Sequence, residues 1–169
     1  VSSLLVVLTA PAIGAWADEH GAKPRLLALC TGGCVLATAM LGWAGAGDLA
    51  WAVVAVIVSN YCFSVAEGLI AAFLPELARP AALGKVSGWG WSFGYFGGML
   101  TLGLSLAVVL SAQAKGQGAA QFVPITMWLT AVVYAVACVP TFLWLGERAR
   151  PEAGPSSPHG PWQRLARTW

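Results

Sequence analysis

The sequence predicts an all-α fold, a polytopic bundle of transmembrane helices. Of its 169 residues 58% are hydrophobic and only 9% are charged, where a soluble domain carries about 25% charged residues. Nine basic and seven acidic side chains are too few to clothe a water-exposed surface. The apolar residues also gather into five runs, each at or near the roughly 20 residues that cross the hydrocarbon of a bilayer. The basic residues, finally, alternate between rich and poor loops, as they do when successive loops face opposite sides of a membrane.

The runs cover residues 1–17, 26–44, 49–74, 86–111 and 122–145. The first is about one helical turn short of a full crossing. It opens at Val1 inside apolar sequence, with no initiating Met, no basic leader region and no cleavage pattern of a signal peptide, so the chain reads as a fragment. Lys23 and Arg25 separate the first two runs, Arg79 and Lys85 the third and fourth, and Arg148, Arg150, Arg164 and Arg167 follow the fifth. The intervening loops, 45–48 and 112–121, hold only Lys115. Positively charged short loops stay on the cytoplasmic side, which places Val1 at the outer face and Trp169 inside. The net charge of +2 therefore reflects topology, and nucleic acid is not an expected partner; the lipid bilayer is.

In the second run Cys30 and Cys34 share a helix face, and Cys62 and Cys138 lie in later runs. None has the clustered spacing of a zinc site, so they read as small packing residues. His20 and His159 lie in different loops, and neither a metal nor a cofactor is assigned. The third run contains Glu67, a side chain that costs about 2.5–3.5 kcal/mol near a bilayer centre. Asn60, Ser64 and Glu67 recur at i, i+4 and i+7, which puts them on one helix face. Such a polar stripe faces protein or a watery cavity. It forms part of a substrate or proton pathway, or else Glu67 snorkels from the helix end toward a basic residue of an adjoining loop.

The fourth run places Gly90, Gly94 and Gly97 on one face, with Gly98 beside them and Thr101 continuing it. Small residues at this spacing let membrane helices pack closely, or supply a surface that slides during alternating access. Trp91 and Tyr95, at i and i+4 on a neighbouring face, line a cavity or serve as packing aromatics. In the fifth run Pro124 suits the first turn of a helix, as Pro75 suits the end of the third. Pro140 is interior and is expected to kink the chain, a feature tolerated in membrane helices for packing. Residues 147–169 change character: Pro151, Pro155, Pro158 and Pro161 make a flexible cytoplasmic segment. Trp162, Leu165 and Trp169 with Arg164 and Arg167 have the spacing and content of an interfacial helix, or are chance aromatics in a linker.

Gly14, Ala17, Asp18, Gly21, Lys23 and Arg25 appear in the order G-x-x-A-D-x-x-G-x-K-x-R between the first two runs. This resembles the cytoplasmic loop motif of the major facilitator superfamily, between the second and third of twelve helices. The resemblance implies that Gly14 and Gly21 permit close approach and a tight turn, and that Asp18 with Lys23 and Arg25 forms a conformational latch between the two halves of the protein. Such a charge-assisted lock depends on desolvation as the halves close. Glu19 and Ala22 stand where the family often has basic residues, which implies a weaker or rearranged latch; a plain topogenic loop is the simpler alternative.

Three further segments, Phe73-Leu74-Pro75-Glu76-Leu77-Ala78, Gly84-Lys85-Val86-Ser87-Gly88-Trp89-Gly90-Trp91 and Gly94-Tyr95-Phe96-Gly97-Gly98, are similar to the vacuole-effluxer-like branch of that superfamily. Its fungal members are implicated in returning amino acids from the vacuole. The resemblance implies that the five runs correspond to helices two to six, with residues 147–169 at the start of the central loop and the remaining helices of the full-length transporter as partners. Gly94-Tyr95 stands where superfamily antiporters often carry Gly-Pro, so that motif lends no support to exchange. The implied function is secondary transport of a small solute, with amino-acid efflux and proton coupling as its finer form, in a bacterial inner membrane. A membrane-embedded enzyme is disfavoured by the lack of paired acids, a Ser/His or Cys/His set or a metal cluster in the spans. A non-catalytic structural or regulatory membrane subunit acting by helix association is the alternative.

Overall fold

The computed structural model describes residues 2–45 and 47–144, without the side chains of Asp18, Glu19, Glu76, Leu77 and Trp144. Five helices follow one another: α1 Ser2–His20, α2 Lys23–Leu41, α3 Leu49–Leu77, α4 Leu83–Ala114 and α5 Ala119–Trp144, with a 3₁₀ turn at Pro80–Ala82 leading into α4. No strand occurs among the described residues. α2 to α5 are long and apolar enough to cross a membrane, whereas the apolar part of α1, Ser2–Ala17, is shorter. The expected segment 147–169, with its interfacial helix, lies outside the described residues.

The helices overrun most of the apolar runs. α3 continues to Leu77 and α4 starts at Leu83 and reaches Ala114, so α4 with its 32 residues is about 48 Å long against a hydrocarbon core of about 30 Å. Polar ends such as Lys85 and Gln113 extend the helix past the apolar sequence because the backbone ladder is indifferent to side-chain polarity. α2 instead stops at Leu41, leaving Trp43 and Ala44, expected within the second run, in the connection. Pro124 sits in the second turn of α5, since that helix starts at Ala119, and α5 runs on through Pro140. Pro75 is likewise inside α3.

The loop between α1 and α2 is two residues long and glycine makes it so. Gly21 has φ +56°, in the left-handed region that a Cβ disfavours. The Ala22 N–H then donates to the Ala17 carbonyl at 3.1 Å, the 6→1 bond of a Schellman ending. The Ala22 carbonyl in turn accepts from Leu26 N–H at 2.9 Å, and Pro24 occupies the first turn of α2, where no intrahelical donor is lost.

Packing centres on α3. α2 makes its most extensive contacts with α3 and then with α5, α1 packs on α3, and α4 packs on α5. Ala17, Leu27, Cys30, Val65, Ala66, Leu69 and Phe73 form the buried core of α1, α2 and α3. Ala17, Cys30 and Ala66 let the helices approach closely within this seam, as expected where lipid removes the hydrophobic drive and van der Waals contact has to replace it, while Leu27 and Phe73 fill it. Cys62 Sγ, for instance, lies 3.0 Å from where a Cβ on Gly33 would stand. Polar cross-links fasten the same seams: Ser2 Oγ donates to Asn60 Oδ1 at 2.9 Å, Thr9 and Tyr61 share a bond of 2.8 Å, and Thr38 and Ser59 share one of 2.8 Å.

The end of α2 is fixed to α5 by Trp128, whose indole N–H donates to the Ala39 carbonyl at 3.1 Å and whose ring meets Trp43 edge-on at 6.3 Å. The ring lies over Gly42, and a Cβ there would collide with its Nε1 atom. Gly42→Ala is therefore expected to destabilise the full-length protein by about 1–3 kcal/mol. Trp128→Phe should recover part of that loss in the double variant, both read as shifts of thermal unfolding in detergent.

Candidate functional site

The α3 polar face stands as helical spacing requires. Val65, Leu69 and Phe73 are buried against the α1 and α2 core, and Glu67, roughly opposite them on the helix, is exposed. Ser64 beside it is half-buried, and Asn60 is exposed while its Oδ1 accepts from Ser2 of α1. Trp91 and Tyr95 are exposed on α4 with their rings 6.1 Å apart. Among the described residues no hydrogen bond or ring contact joins this aromatic pair to Asn60, Ser64 or Glu67. Every residue from 88 to 100 is exposed, and Gly90, Gly94, Gly97 and Gly98 have open space where a Cβ would be. The glycine face thus has no packing partner among the described residues.

The loop residues separate by environment. Lys23 is buried at 8% exposure, with its ammonium 5.9 Å from the centroid of the Phe73 ring, itself 1% exposed. A cation over an aromatic face in a desolvated place is held electrostatically by the ring quadrupole. Arg25, two residues on, is exposed. Lys23 is thereby tied to α3, the helix that carries the polar face, while Arg25 remains accessible. His20 stacks on Trp16 at 4.8 Å and bonds the Trp16 carbonyl through Nδ1 at 3.0 Å. Gly14 meets nothing within 4 Å of a built Cβ, so close approach at Gly14 finds no neighbour among the described residues. The Asp18 and Glu19 side chains lie outside the described set.

A second polar group escaped the sequence reading. α2, α3 and α5 line an open cleft with a cavity volume of about 430 Å³. Thr38, Ser59, Asn60, Thr130 and Tyr134 give its wall hydroxyl and amide groups, and Leu41, Val56, Phe63 and Ala131 give it apolar surface. Cys34 also lines it, its Sγ 3.6 Å from Ser59 Oγ. The signal was present in pairs: Cys34 with Thr38, and Thr130 with Tyr134, are each four residues apart and so share a helix face. Nothing local says that these pairs face one another. Among the described residues no three His, Cys, Asp or Glu side chains gather as metal ligands.

Four long apolar helices with outward-facing Leu, Val and Phe side chains define an integral multi-pass membrane protein. The Major Facilitator Superfamily model matches residues 1–169, and the chain belongs to that family. It is also similar to the uncharacterized MFS-type transporter YxiO of Bacillus subtilis (strain 168), at 29% identity over 115 residues, which is 68% of this chain and 27% of that protein. No solved structure matches.

Gly21 and Gly14 separate the turn from the rest of the motif. Gly21→Ala should cost about 1 kcal/mol or more through its positive φ. Gly14→Ala, helical and open, should be neutral or stabilising by up to about 1 kcal/mol. Melting temperatures of the two full-length variants give the comparison.

Proposed function

We propose that the chain is part of the first half of a secondary transporter that moves a small solute across the membrane by alternating access. The observation that carries the proposal is Glu67: an ionisable side chain, exposed on a membrane-crossing helix and sharing its face with Asn60 and Ser64. An acid in that place faces a protein interior or a watery path in the assembled protein. Membership of the superfamily and the likeness to an MFS-type transporter support the same reading. Trp91 and Tyr95 would line the path from α4, and the glycine face of α4 would meet helices outside the described residues. Coupling, in this proposal, is to protons through Glu67.

The α1–α2 loop would act as the conformational latch, with Asp18 and Arg25 closing against the other half while Lys23, seated on Phe73, relays the change to α3. The distribution of basic residues supports an inner position for this loop and for the Trp169 end, in a bacterial cell membrane. Amino-acid efflux is proposed as the activity, and a place in the vacuole-effluxer-like branch as the lineage. Both rest on the resemblance of the motifs between Phe73 and Gly98.

Replacing the carboxylate alone tests the role of Glu67. In the full-length protein Glu67→Gln should abolish solute uptake or efflux, measured with a panel of radiolabelled amino acids, sugars and drugs, while expression, insertion and melting temperature stay those of the parent. Undiminished transport by this variant would remove Glu67 from the path.

A further inference from the structure

The cleft between α2, α3 and α5 takes in Asn60 from the polar face of α3 but not Glu67, and has a chemistry of its own. Asn60 sits roughly 17 Å along α3 from Leu49, so the cavity lies at membrane depth. Its lining carries hydroxyl, thiol, amide and apolar groups, with no Asp, Glu, Lys, Arg or His. Its volume of about 430 Å³ falls within the range of small-molecule sites, about 300–1,000 Å³.

Most polar groups of the wall are already bonded. Thr38 and Ser59 bond each other, and Thr130 donates to the Thr126 carbonyl. Asn60 differs. Its Oδ1 accepts from Ser2, and its two amide N–H donors have no acceptor among the described residues. A donor at membrane depth without an acceptor is unfavourable, since lipid cannot supply one. Phe63, on the same wall, meets Tyr134 with ring centroids 6.1 Å apart, a platform for a flat apolar group.

We infer that this cavity binds an uncharged small organic molecule carrying an acceptor oxygen, which takes the Asn60 N–H and lays its apolar part against Phe63. A charged solute, including an amino-acid zwitterion, would lose its hydration to a wall that offers no counter-charge. The site shares Asn60 with the proposed Glu67 path, but its test reads labelling and not transport, so either reading can fail without the other.

Photolabelling of the full-length protein in lipid nanodiscs tests the assignment, with benzophenone as the uncharged ketone and 4-benzoylbenzoate as its charged counterpart. Benzophenone labelling, mapped by peptide mass spectrometry, should saturate and concentrate on the α2, α3 and α5 segments around Leu41, Val56 and Phe63. Asn60→Leu, which removes the donor, should lower it about fivefold, the share of one neutral hydrogen bond. Val56→Trp should block it by filling the cavity from a half-exposed position. The carboxylate should label these segments at about one tenth of the ketone's level or less. Labelling that fails to saturate and spreads over the exposed face of α4 would mean partitioning into lipid alone and would overturn the inference. So would equal labelling by the carboxylate, indifference to Val56→Trp, or unchanged labelling in Asn60→Leu.

Discussion

Lipid offers no hydrogen bonds, and most of what this chain does with its polar atoms follows from that. Each backbone donor and acceptor at membrane depth has to be met within its own helix, which is why the apolar runs become helices and why the links between them are turns of a few residues. Side-chain hydroxyls obey the same constraint. Thr9 donates to Leu5 O, Ser92 to Gly88 O and Thr101 to Gly97 O, each returning its proton to the preceding turn. Some cross to a neighbour, Thr9 among them, and the crossings at Ser2 with Asn60, Thr9 with Tyr61 and Thr38 with Ser59 help set which helix faces meet. α3 is central because it supplies one partner to each.

The same constraint separates two kinds of polar residue. Hydroxyls and thiols that satisfy one another, as around Ser59, can stay inside the bundle and hold it together. Glu67 finds no such arrangement among the described residues and stands on the side of α3 away from the core. Lys23 lies between these cases. It is buried with its ammonium 5.9 Å from the centroid of the Phe73 ring, so a residue of the loop motif also packs against α3. The loop is therefore in direct contact with the helix bearing Glu67.

α4 shows how incomplete the surface of these residues is. Its aromatic and glycine faces are exposed over residues 88–100, a larger apolar expanse than soluble proteins leave open. Lipid or further helices would cover it. The stretch matched in the Bacillus subtilis relative covers 27% of that protein, which leaves ample sequence for such helices in a protein of that kind.

Much of the secondary structure was legible in sequence. Long apolar runs had to be helical for the backbone's sake, Gly21 had to turn, and Asn60, Ser64 and Glu67 had to share a face because the helical period is fixed. Helix ends were less legible: α3 and α4 pass their apolar limits, and α2 stops at Leu41 where Gly42 admits Trp128. Partners were not legible at all. In water the buried side of a helix is marked by its apolar stripe, but a membrane helix is apolar all round, so α2 and α4 look alike in composition while α2 packs against both α3 and α5 and α4 mainly against α5. Only the tertiary structure decided that Lys23 lies on Phe73, that the polar pairs of α2 and α5 meet Ser59 and Asn60 around one cavity, and that the glycines of α4 stay open. Helix formation in lipid is a local requirement of the backbone, whereas the choice of neighbour rests on shape and a few hydrogen bonds between residues far apart in the chain.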